Sequence, residues 1–284
     1  MSKVQNKCVL ISLEVKTFAG SIKADRISAE AAAREQAQPE WLKCRVERLS
    51  SDLKRRIQQV VSLARGCYTK NSAKWFEGSH RIIKASEVAR VKSELQDLKL
   101  TFDDLIQKEV IGKYNELENE ARESLGLVFA DVGFPSVNEL RDKYAFNISI
   151  CPIPSVDDLY LEGLGVQASV DIKDAAKQDQ SNRVKSACKG LIEDLKKLTD
   201  HAAEVLGNVD KKYHDSLFTN ITSLAERIPA LNITDDPNIN KAAHDALVGL
   251  QKYDPRQVKK DPEQRKQAAN VAASVSKALA SIEL

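Results

Sequence analysis

From Ile11 to Val15 apolar and polar residues alternate, the period of a strand with one buried face. Gly20 breaks the run, and Ser28 followed by Ala29 and Glu30 reads as a helix start. Beyond Pro39 the period changes. Leu42, Val46, Leu49, Leu53, Ile57, Val60, Ala64 and Cys67 recur at steps of three and four, one apolar seam on a polar helix. A second seam runs through Val88, Val91, Leu95, Leu98, Phe102 and Leu105, shifts phase between Val110 and Tyr114, and resumes from Leu117 to Val132. Such a stutter changes local supercoiling without ending a helix. Gly133 and Pro135 stop it. Helices of roughly 25 and 45 residues would extend about 40 and 65 Å. Each leaves an apolar stripe in water, so the pattern predicts an antiparallel hairpin over residues 27–133, packed on itself and on later helices.

Ser136 then caps a short helix, and Tyr144, Phe146, Ile148 and Ile150 alternate with small or polar residues before Pro152 and Pro154. The expected partner of this strand is the N-terminal alternation, which predicts a two-stranded antiparallel sheet at the base of the hairpin. Residues 1–26 are then an N-terminal strand and turn, and 134–165 a strand with a proline-rich connection. Further seams through Val184–Val205, Tyr213–Ile228, Ala243–Leu250 and Ala268–Ile282 predict a C-terminal helical bundle over 166–284. The expected fold class is mainly α.

Composition agrees with a folded helical chain of 284 residues, with 11 Gly, 8 Pro and 5% aromatic residues. The start of the chain carries no secretory signal pattern, and no apolar run is long enough to span a bilayer, so no membrane role and a cytoplasmic location are expected. Five scattered cysteines without a close pair fit free thiols in a reducing compartment. A net charge of +2 argues against a uniformly basic coat. The distribution changes that picture. Between Trp41 and Lys99 stand 14 basic and 6 acidic residues, and between Leu100 and Asp142 the counts are 4 and 10.

The basic stretch includes the turn expected between the two long helices. Arg65, Lys70, Lys74, Arg81 and Lys84 are interleaved there with Tyr68, Trp75 and Phe76. Cations that neutralise phosphates beside rings that stack on bases are what single-stranded nucleic acid requires. The same cations also suit a solvated face, or the acidic half of a second copy.

Catalytic patterns are weak. Gly163-Leu164-Gly165 is a fragment of a glycine-rich loop without its strand–turn–helix frame. The pairs Asp157-Asp158 and Asp235-Asp236 suit helix capping better than a metal site, which needs further converging oxygens. His201 and His214 sit in helical seams beside Asp200 and Asp215, as surface or core-edge residues do. No catalytic residue, metal or cofactor is expected.

Three stretches together carry a resemblance. They are the N-terminal strand leading to Gly20, the passage from Pro135-Ser136 to Pro154 with Tyr144-Ala145-Phe146, and the tail. The tail has Leu231-Asn232-Ile233-Thr234-Asp235-Asp236-Pro237, then Tyr253-Asp254-Pro255-Arg256 and Arg265. Their order and spacing resemble a family of phage- and integrative-element-encoded proteins without established catalytic residues. The genes of that family often neighbour those of a MoxR-type AAA+ ATPase and a von Willebrand factor A protein. The chain departs from it at Ala19-Gly20-Ser21. The resemblance implies an accessory of a remodelling assembly. The expectation is therefore a non-enzymatic protein acting by self-association or by docking to an ATPase. The alternatives are a nucleic-acid binder using the basic turn and an inhibitor of a host defence protein.

Overall fold

The computed structural model describes residues 2–38, 40–75, 80–156 and 166–282. The chain is mainly α-helical. It begins with α1 (Ser2–Lys7), β1 (Cys8–Lys16), β2 (Ser21–Lys23), α2 (Asp25–Arg34), β3 (Arg45–Glu47) and α3 (Ser51–Lys70). Strands β4 (Ala73–Lys74) and β5 (His80–Lys84) lead into α4 (Ala85–Leu105) and a π-helical segment, Ile106–Ile111. Next come α5 (Tyr114–Leu125), α6 (Phe129–Val132), α7 (Val137–Asp142) and β6 (Ala145–Pro152). The last part holds α8 (Val166–Gly207), α9 (Ser216–Leu231), α10 (Pro237–Gln251), α11 (Pro255–Val258) and α12 (Pro262–Ala280).

These elements form two compact units, each assembled from separated stretches. The first comprises Met1–Ser12, Thr69–Arg90 and Ser149–Leu284, the second Leu13–Tyr68 and Val91–Ile148. The consecutive segments suggested by the seams do not coincide with these units.

In the first unit, α8 packs on α12 and α9, and α10 packs on α9 and α12. Leu195, Leu206, Ile221, Ile228, Ile239 and Leu250 are fully buried there. The strands add Leu10 and Ile82 to the same core. The sheet has the order β4-β5-β1-β6. Strand β5 runs antiparallel to β1, with Cys8 opposite Lys84 and Ser12 opposite His80. The expected neighbours β1 and β6 are thus adjacent, but in a four-stranded sheet. The stretch read as a turn between helices supplies the other two strands. Ile82 and Ile83 point to opposite faces of β5 and both are buried, whereas a surface turn would leave such β-branched side chains in water.

The end of α8 is closed from a distance. Arg265 of α12 donates to the carbonyls of Leu206 at 3.0 Å and Val205 at 2.8 Å, and also to those of Asn208, Val209 and Lys211. A helix leaves its last carbonyls unpaired with a partial negative charge, and one guanidinium satisfies both needs.

The second unit buries Leu53, Ile57, Val60 and Ala64 of α3 and Val91, Leu95 and Phe102 of α4. Phe102 meets Phe146 at 5.6 Å between centroids and Tyr144 at 6.3 Å. Strands β2 and β3 pair antiparallel in this unit. The seam expected to begin at Leu42 therefore starts only at Ser51, because Arg45–Glu47 is extended. Where the second seam shifts phase, the helix takes the π form, and the Gly112 amide reaches back to the Gln107 carbonyl at 2.8 Å. Ser28 lies inside α2 instead of capping it; its hydroxyl donates to the Ala24 carbonyl and accepts from the Cys44 amide. Ser136 does cap α7, in a reciprocal box with Glu139. Among the described residues, no helix is long and apolar enough to cross a membrane.

Candidate functional site: a basic groove in the first unit

The C-terminal end of α3, the β4–β5 hairpin, α8 and α9 enclose a groove of about 750 Å³. Six cations line it, Lys70, Lys74, Arg81, Lys189, Lys197 and Arg227, against two carboxylates, Glu193 and Asp194. The hairpin brings Lys74 directly opposite Arg81. Their neighbours Ala73 and Ile82 are buried in the core of the first unit, while Lys74 is exposed and Arg81 half-buried at the groove. Like charges opposite each other destabilise a strand pair.

The two guanidiniums are committed to the fold. Arg81 donates through Nε to the Ser72 hydroxyl at 2.9 Å and through Nη2 to the Thr69 and Ser72 carbonyls. Arg227 donates to the carbonyls of Lys70 and Ser223, each at 2.9 Å, and burial pulls its pKa down. Both therefore supply donors at the C-terminal end of α3, where carbonyls lack helical partners.

The lysines differ. Lys189 is within 3.8 Å of Glu193, a loose exposed pair. For Lys70, Lys74 and Lys197, no carboxylate of the described residues lies within ion-pair distance. Gly190 completes the α8 wall. A β-carbon built there would meet nothing within 4 Å, so no packing demand accounts for a glycine inside this helix. Glycine at such a position costs roughly 1 kcal/mol relative to alanine.

The groove thus gathers Lys70, Lys74 and Arg81 from the sequence-derived surface, and adds Lys189, Gly190, Lys197 and Arg227 from more than 100 residues away. The remaining members go elsewhere. Lys84 donates to the Asp235 carboxylate at 2.6 Å and the Pro229 carbonyl at 2.8 Å. Trp75 is 6% exposed within the core of the first unit, and Tyr68 is 8% exposed, so neither ring offers a face to a base. Arg65 lies exposed on α3 in the second unit. Phe76 falls outside the described residues, as do Asp157, Asp158, Gly163 and Gly165.

The other carboxylate pair has separate structural tasks. Asp235 joins Lys7 at 2.7 Å to Lys84, and these two ammoniums hold its carboxyl down at about 2. Asp236 caps α10, accepting from the Asn238 amide at 2.8 Å. His201 and His214 are both exposed. Cys8, in the same unit, is buried, and desolvation pushes its thiol up to about 11.

Comparison with known protein families, curated proteins and solved structures finds no match. The groove's lysines form a concave field of point charges, and Gly190 leaves the α8 wall open to backbone approach.

Proposed function

We propose that the protein is a non-enzymatic binding protein whose working surface is the basic groove, and that the groove holds an anionic partner. The carrying observation is the convergence of Lys70, Lys74, Lys189 and Lys197 on one cavity, three of them without a carboxylate among the described residues. Such crowding of like charge opposes folding and is relieved when an anion enters. The accessory role implied by the sequence resemblance is compatible with this reading, the partner then being an acidic or phosphate-bearing component of the assembly. The test is equilibrium binding to labelled polyglutamate and to a labelled single-stranded oligonucleotide at low salt. Binding of at least one, lost about tenfold or more in Lys70→Glu/Lys74→Glu, supports the proposal. Wild-type protein that binds neither removes it.

Self-association is the second reading, and α8 is the observation that favours it. From Val166 to Ser186 no residue of this helix is buried, and Val166 is 84% exposed with Val170 and Ile172 also exposed. An exposed apolar series on a long helix is a common docking surface. Light scattering that shows a discrete oligomer, dispersed by Val170→Asp/Ile172→Asp, supports it; a monomer at every concentration counts against it.

A further inference from the structure

Arg81 and Arg227 carry the planar forks that match carboxylates and phosphates bidentately, and both are engaged with backbone carbonyls. What faces the cavity is lysine. Ammoniums act as point charges and suit phosphate oxygens spread along a strand. Lys189 and Lys197 are two helical turns apart on α8, a rise of about 12 Å. That rise exceeds the spacing of successive phosphates along a strand, so the two ammoniums can meet different phosphates of one backbone. Tyr68 and Trp75 are buried, and among the described residues that line the groove there is no aromatic side chain for a base to stack on. The groove is concave and lies in the size range of pockets that enclose a small ligand, so the rigid cylinder of a duplex would reach only its rim.

We infer that the groove binds the sugar–phosphate backbone of single-stranded nucleic acid, without base readout, with Gly190 leaving room for the strand against α8. This rests on the proposal that the groove takes an anionic partner, and narrows it to one class. Glu193, loosely paired with Lys189, and Asp194 oppose binding on the same wall, so affinity is set by the lysines and is sensitive to salt.

The experiment is fluorescence anisotropy with a labelled single-stranded oligothymidylate, a duplex of equal length and polyglutamate of comparable charge. Four neutralised phosphates give a slope of log K against log salt of about −3, so binding weakens about 50-fold between about 50 and 200 mM salt. Lys70→Glu/Lys74→Glu halves that slope to about −1.4. Gly190→Leu, which adds a bulky side chain to the α8 wall, weakens binding at least about tenfold while thermal stability is retained or rises. Replacing thymidylate by a mixed sequence changes affinity little. Polyglutamate binding without oligonucleotide binding overturns this inference and leaves the broader proposal standing; binding of neither overturns both. Equal affinity for the duplex, or full affinity in a folded Gly190→Leu variant, also overturns it.

Discussion

Several single side chains hold far more of this structure than their sequence context suggests. Arg265 stands in an exposed-looking helix, yet it is buried and donates to five carbonyls in the last turn of α8 and just beyond it. Arg265→Ala leaves those acceptors without their partner, and denaturant unfolding should show a loss of at least about 2 kcal/mol. Arg265→Lys keeps the charge but not the fork, and falls between. Gly133 holds φ at 58° and ψ at −176°, a region essentially reserved for glycine. Gly133→Ala should cost about 1–3 kcal/mol in the same assay.

Asp235 provides a pH test. Its carboxyl is held down at about 2, below its ordinary 3.8, by hydrogen bonds and charge from Lys7 and Lys84. A depressed pKa means stability that is fully present above about 4 and lost as pH falls toward 2. Asp235→Asn should flatten acid unfolding across that window. The thiols offer a simpler check. Cys8 and Cys188 are buried with raised pKa, whereas Cys44 and Cys151 are half-buried. Iodoacetamide on the native protein should label Cys44 and Cys151 first, and rapid labelling of Cys8 would contradict its burial.

At the scale of elements, much of the local structure is legible in the sequence. The alternations around Ile11 and Phe146 do mark strands, Ser136 does cap a helix, and the phase shift near Val110 falls at a π-helical segment. Each of these signals sits within a few consecutive residues. The β4–β5 hairpin was hidden for the opposite reason. Its strands are very short, and basic residues among apolar ones read equally well as a polar turn. Only pairing with β1, some 70 residues away, decides between them. The groove was half legible. Lys70, Lys74 and Arg81 are near neighbours in sequence, but Lys189, Lys197 and Arg227 look like solvated faces of amphipathic helices until α8 and α9 are packed. The expected stacking role of Trp75 and Tyr68 failed on burial, which aromatic content alone does not reveal.

Element packing also makes a prediction of its own. Gly249 on α10 leaves no room for a side chain, since a β-carbon there would stand 2.6 Å from Cγ1 of Val271 on α12. Gly249→Val should destabilise the first unit by about 1–3 kcal/mol through overpacking. Gly190→Ala, by contrast, should stabilise it by roughly 0.5–1 kcal/mol. The two glycines thus separate a packing demand from an open stretch of the α8 wall.

For the whole molecule, near-neutral net charge conceals a local field. The 43 basic and 41 acidic residues largely cancel through exposed pairs, many of them a helical turn apart, such as Lys99–Asp103, Lys113–Glu109 and Arg122–Glu118. Such pairs contribute little stability individually. In the groove, by contrast, lysines from α3, β4 and α8 line one cavity. The most direct measurement of that claim is lysine footprinting by acetylation and mass spectrometry, with and without a bound single-stranded oligothymidylate. The account predicts that Lys70, Lys74, Lys189 and Lys197 become protected together while Lys259 and Lys266 keep their reactivity. Protection spread evenly over the surface, or confined to lysines outside the groove, would contradict it.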